Sequence, residues 1–176
     1  MSFADELRAA GHVVHTPDLY DGKTFGTVDE GVGHAREVGF DTILERGRAA
    51  AEDLPAELVY AGFSLGGMPA QMLAQTRPGT RGALLFHAAV PLSEFGGSWP
   101  QGAPLQTHFM EDDPWAEEDL PAARDIAETI GGAELFLYPG NRHLFADNSV
   151  SDYDEGAATL LEQRVLSFLR DLDQPR

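Results

Sequence analysis

The stretch from Leu58 to Thr76 constrains the fold more than any other part of the chain. Leu58-Val59-Tyr60-Ala61 is a short apolar run that follows Pro55 and reads as a strand, and the residues from Leu65 to about Thr76 read as a helix. Between them stand only Gly62-Phe63-Ser64, so the chain must turn from strand to helix almost without a loop. A turn this tight holds Ser64 in a strained backbone conformation. Gly62 and Gly66 are expected to remove the side chains that would otherwise strike the neighbouring strand or helix.

The rest of the chain alternates in the same way. Ser2, three residues before Asp5, caps a helix carrying Phe3, Leu7 and Ala10, which Gly11 ends. His12 to Thr16 reads as a strand stopped by Pro17, and one helix from Asp29 to about Leu54 presents Phe40, Ile43, Leu44, Gly47, Ala51 and Leu54 on one face. Ala83–Phe86, Leu105–Phe109 and Glu134–Tyr138 read as further strands. A helix with Leu120, Ala123, Ile126 and Ile130 lies between the last two, and a helix with Leu161, Val165, Phe168 and Leu172 closes the chain. Strands separated by helices predict an α/β fold: a doubly wound, mostly parallel sheet with helices on both faces. No repeat or linker divides the 176 residues, so residues 1–176 are expected to form a single domain.

Composition mainly excludes. Twenty-nine acidic residues against 12 basic ones give a formal charge of −17, which repels nucleic acid and keeps a surface solvated. No apolar run approaches the roughly 18 residues that cross a bilayer, and the opening residues lack the basic and apolar segments of a secretory signal. The expected location is the cytoplasm, with no membrane or nucleic-acid partner. The absence of cysteine rules out disulfides, thiolate metal sites and a cysteine nucleophile.

Gly62-Phe63-Ser64-Leu65-Gly66 matches G-x-S-x-G, and its position between strand and helix is the context in which that pattern marks a nucleophilic serine. The turn would lift the Ser64 hydroxyl above the sheet, and the backbone N–H of Leu65, opening the helix, would face the oxyanion formed on attack. A serine needs a base, and the base needs an orienting acid, supplied in this architecture in the order serine, acid, histidine. Of six histidines, His12, His15 and His34 precede Ser64, His108 lies within a strand, and His87 ends one too early to follow an acid. His143, in the loop after the last strand, fits. Glu111, Asp112 and Asp113 all follow the preceding strand, and spacing does not choose among them.

Pro17-Asp18-Leu19-Tyr20, Gly62-Phe63-Ser64-Leu65-Gly66-Gly67, His108 through Pro114 and Gly140-Asn141-Arg142-His143-Leu144-Phe145 resemble, in order and separation, the corresponding blocks of the dienelactone hydrolase family. The resemblance implies a capless α/β-hydrolase fold that opens ester or lactone bonds without a cofactor or metal, and it selects Asp113 as the acid beside Ser64 and His143. The best-known members carry cysteine where this chain has Ser64, and an arginine that grips the substrate carboxylate where it has Asp147. Arg142 and Lys23 are the nearby cations that could substitute. Ordinary esterase chemistry on a small-molecule ester or lactone is therefore expected, rather than action on dienelactone itself. The second reading is a catalytically impaired domain that binds a small ligand or partner in the same cleft; acyl transfer or peptide cleavage by the same residues is a third. The resemblance further implies a strand upstream of Met1, lying between His12–Thr16 and Leu58–Ala61, whose loop would supply a second oxyanion donor; one strand and one loop amount to roughly 15 to 20 residues.

Overall fold

The computed structural model describes residues 2–174. Four strands, β1 (Val59–Phe63), β2 (Gly82–Phe86), β3 (Leu105–Met110) and β4 (Ala133–Tyr138), form one wholly parallel sheet in the order β1-β2-β3-β4. The helices are α1 (Phe3–Ala9), α2 (Val28–Val38), α3 (Phe40–Glu52), α4 (Gly67–Thr76), α5 (Asp119–Thr129) and α6 (Glu155–Asp173). Among the described residues no helix is long and apolar enough to cross a membrane.

Side chains alternate across the sheet, and each face has its own core. Ala83 and Leu85 of β2, with Leu105 and Phe109 of β3, pack beneath α3, α4 and α5 through Ala51, Ala70, Leu73, Ala123 and Ile126. Leu84 and Phe86, with Met110 and Tyr138, pack against α1 and α6 through Leu7, Leu161, Val165 and Phe168. β2 and β3 are buried throughout, as a parallel sheet covered on both faces requires. Each fully buried Leu or Phe in these layers contributes about 1.5–3 kcal/mol.

Two expected elements differ. His12–Thr16 forms no strand: the chain there has no regular secondary structure, Val13 is 86% exposed, and the Val14 carbonyl accepts from the Arg8 guanidinium instead of from a ladder partner. A strand needs a neighbour, and the described residues contain no part of the strand expected between this segment and β1. Among the described residues β1 pairs only with β2, and its other edge faces a cavity of about 450 Å³ whose lining includes Phe3, Val14, Pro17, Ala61, Phe63 and Leu161. The single helix expected over 29–54 is two, α2 and α3, separated by Gly39 at φ 92° and ψ 130°, outside helical space. The face predicted for its second half is the face that α3 buries, through Ile43, Gly47 and Ala51. α1 keeps its capping box between Ser2 and Asp5.

The junction of β1 with α4 is closed by backbone contact. A Cβ on Gly62 would lie 2.0 Å from the Gly66 carbonyl oxygen and 2.6 Å from the Gly67 nitrogen. A Cβ on Gly67 would lie 2.7 Å from that of Ala88, just beyond β2. Gly66 differs from expectation: a Cβ there meets nothing within 4 Å, and its φ of −64° is ordinary for any residue. The collision attributed to Gly66 belongs to its neighbour Gly67, because the close approach is between α4 and the β2 exit.

Urea denaturation should therefore separate these glycines. Gly62→Ala should cost more than about 3 kcal/mol or prevent folding, whereas Gly66→Ala should stay within about 0.5 kcal/mol; similar costs at both would contradict the contact assignment. A second expectation concerns His108, fully buried with Nδ1 2.9 Å from the Tyr138 hydroxyl. Burial, and secondarily the Arg164 guanidinium, lower its pKa from 6.5 to about 3. Below pH 6.5 the unfolded chain binds a proton that the folded chain refuses, so stability falls as the pH drops from 6.5 towards 3. Between pH 7 and pH 5 this one group should account for roughly 2 kcal/mol of lost stability. His108→Gln should remove that part of the pH dependence, and an unchanged difference between the two pH values would refute it.

Candidate active site

β1 runs straight into a single turn of 3-10 helix, Ser64–Gly66, and then into α4. Ser64 is held at φ 47°, left-handed space that costs a non-glycine residue about 1–3 kcal/mol. The turn expected from sequence is thus the turn observed. Leu65 N–H lies in the opening turn of this helical segment, where backbone N–H groups lack intrahelical acceptors.

The structure brings together three of the residues singled out from sequence. Ser64 Oγ is 2.7 Å from His143 Nε2, and His143 Nδ1 is 2.7 Å from Asp113 Oδ2. Asp113 and His143 are buried, so the carboxylate would be costly without partners. It has two: besides His143, the Trp115 backbone N–H donates to Oδ1 at 2.9 Å, closing a two-residue Asx turn. Asp112 and Glu111, in the same turn, are exposed. Their backbone N–H groups bind the Gly140 and Tyr138 carbonyls, tying the acid-bearing turn to the loop that carries His143.

That second loop is fixed from several directions. Gly140, at φ 130°, passes so near Met110 that a Cβ there would lie 2.8 Å from its sulfur. The Arg142 N–H donates to the same sulfur at 3.2 Å, and Asp154 N–H to the Phe145 carbonyl at 2.9 Å. Arg142 directs its guanidinium to the Tyr153 carbonyl, 2.7 Å away, with Asp154 at 3.6 Å. Its guanidinium is therefore engaged by the segment before α6. Asp147 caps Ser149, accepting from both its N–H and its hydroxyl. Lys23 is exposed in the loop before α2.

The remaining histidines divide by environment. His12 and His15 lie in the irregular segment after α1, and His34 packs against Tyr20 and Phe25 at 5.2 and 5.1 Å. His87, set aside on chain order, lies inside the site with its ring 5.6 Å from that of His143. Trp115, also missed, stands 5.9 Å from the His143 ring with 40% of its surface exposed. Its position two residues beyond Asp113 was the available signal. Among the described residues no three His, Asp or Glu side chains converge as a metal site would require.

Comparison with known proteins agrees with this architecture. A search among curated proteins finds no match. Among solved structures, the chain is similar to a dienelactone hydrolase-like promiscuous phosphotriesterase from metagenomic libraries, at 16% identity and TM-score 0.72 over 97% of this chain and 82% of that one. It is also similar to a thermophilic esterase from Thermogutta terrifontis, at 19% identity and TM-score 0.53 over 78% of this chain and 65% of that one. At such identities the likeness speaks for the fold, that of the α/β hydrolases. The sequence model of the dienelactone hydrolase family matches residues 1–172, and the chain, a hydrolase by that membership, belongs to the dienelactone hydrolase family.

Proposed function

We propose that the protein is a serine hydrolase that cleaves a carboxylic ester or lactone through an acyl-enzyme on Ser64. One observation carries the reading: an unbroken line of two 2.7 Å contacts from Ser64 Oγ through His143 to a buried Asp113. His143 Nε2 takes the hydroxyl proton as Ser64 Oγ attacks the carbonyl carbon, and the developing oxyanion is held by the Leu65 N–H. The imidazolium then gives its proton to the departing alkoxide, which leaves as an alcohol or, from a lactone, remains tethered to the acyl group. Water, deprotonated by the same nitrogen, cleaves the acyl-enzyme and restores the serine. Asp113 holds Nδ1–H, so that Nε2 faces the serine with its lone pair and the imidazolium is stabilised when it forms.

Two features support an uncharged ester over a carboxylate-bearing substrate. Arg142 is turned to Tyr153 and Asp154, and Asp147 stands where the best-known family members have their anchoring arginine. The esterase structure similar to this chain holds propionate, in keeping with a carboxylic acyl group on Ser64. The inferred setting is a single domain over residues 1–176, working in the cytoplasm on a small molecule without cofactor or nucleic acid.

Steady-state hydrolysis of a panel of p-nitrophenyl esters tests the assignment of the acid. Asp113→Asn should lower turnover by about 10⁴, the scale of loss when the orienting carboxylate of a serine triad is removed. Asp112→Asn and Glu111→Gln should remain within roughly threefold of the parent, as exposed side chains away from the reacting atoms. A loss at Asp112 equal to that at Asp113 would show that the orienting acid is misassigned.

A further inference from the structure

His87, like His108, is a buried titratable group that this mechanism leaves unused. It follows β2 directly, as Ser64 follows β1, and Phe63 and Phe86 are opposed in register, so the two residues leave adjacent strand ends side by side. Both have positive φ, 47° for Ser64 and 59° for His87; among the described residues the only other non-glycine with positive φ is Asp21. The His87 N–H donates to the His108 carbonyl at 2.8 Å, which fixes the strand end. The ring is 1% exposed and packs edge-on against Phe145 at 4.8 Å, with Phe63 at 5.9 Å and His143 at 5.6 Å.

Neither ring nitrogen of His87 has a hydrogen-bond partner. Each buried polar atom left so costs about 1–3 kcal/mol, and a phenyl ring would occupy the same aromatic surroundings without that cost. Packing therefore does not account for a histidine here. What imidazole adds is a ring dipole, and because no other hydrogen bond fixes the tautomer, a lone pair can be turned towards a positive charge nearby. The charge that appears nearby is on His143.

His87 does not compete for that proton. Burial first, then the neighbouring His143 and His108, hold its pKa well below the ordinary histidine range. The titratable groups around the pair are Asp113, bonded to His143, His108 within β3, uncharged down to about pH 3, and Asp119 at the start of α5. The Asp119 carboxyl is raised by burial and partly offset by the Ala89 N–H and by His143.

We propose that His87 is a positioning residue for the proposed base, an uncharged imidazole whose dipole stabilises the positive charge His143 acquires on taking the Ser64 proton. The role rests on the acyl-enzyme reading and acts at its charged step. Interactions aimed at charge that exists only in the transition state raise kcat and leave ground-state binding alone.

The test is the pH profile of kcat and kcat/KM for ester hydrolysis by the parent, His87→Phe and His87→Asn, with folding monitored by circular dichroism. His87→Phe should lower kcat roughly two- to tenfold with KM nearly unchanged, the range for one dipole at this separation in a poorly screened site. The acid limb of kcat/KM should move to lower pH, because the imidazolium has become less favourable. His87→Asn, with an amide dipole and a side chain that tolerates positive φ, should recover part of both effects. Should His87→Phe fail to fold, His87→Asn against His87→Ala makes the same comparison, with the larger limb shift expected for alanine. An acid limb that stays in place, or a loss expressed in KM, overturns the proposal and leaves His87 as packing. Ser64→Ala run alongside separates the two levels: if it turns over ester as the parent does, the acyl-enzyme reading on Ser64 falls and this proposal with it.

Discussion

The close approach of Gly62 to the Gly66 carbonyl and the Gly67 nitrogen is the contact on which the site depends. It brings the first turn after β1 against the strand it has just left, so the chain reverses with Ser64 at the apex and in left-handed space. The second approach, Gly67 against Ala88, presses the start of α4 onto the exit of β2. α4 is in turn buried on nearly every side, and Gly47 of α3 lets Pro69 come within the space a side chain would need. Strain at one residue is thus held in place by packing around it, the condition under which such strain persists.

The partners of Ser64 are held by a different device. Asp113 and His143 stand on loops that leave neighbouring strands, β3 and β4, and those loops continue the pairing of the strands beyond the sheet through the Glu111–Tyr138 and Asp112–Gly140 hydrogen bonds. Met110 fills the space that Gly140 leaves and accepts from the Arg142 N–H. Removing a carboxylate from water in a chain of formal charge −17 would be unfavourable without compensation. The Trp115 N–H and the His143 ring supply it. The acid, the histidine and the loops beneath them form one hydrogen-bonded unit, whose geometry does not rely on exposed ion pairs.

What the sequence made legible follows from which constraints are local. The strand-to-helix turn, the four sheet strands, the α1 cap and the apolar faces of α3, α5 and α6 are written in spacing and in turn residues, and they are where the residues implied. His12–Thr16 has the residue types of a strand, but a ladder partner is a non-local requirement that no local pattern encodes. Gly39 separates α2 from α3 by taking φ 92° and ψ 130°, and a single glycine inside a helical stretch does not by itself mark a break. Gly66 and Gly67 are adjacent glycines, and only the packing of α4 on the β2 exit decides which of them is sterically required. His87 was passed over by chain order. Its importance comes from the register of β1 with β2, which places the residues after Phe63 and Phe86 together. Among Glu111, Asp112 and Asp113, the direction of the turn after β3 leaves one carboxylate buried against His143.

The proposed activation of Ser64 by His143 is open to chemical test by labelling the folded protein with a fluorophosphonate, followed by peptide mass spectrometry. Ser64 alone among the seven serines should be modified, and nothing should be modified when His143 is replaced by alanine. Labelling at another serine, or labelling of Ser64 that is undiminished without His143, would contradict it.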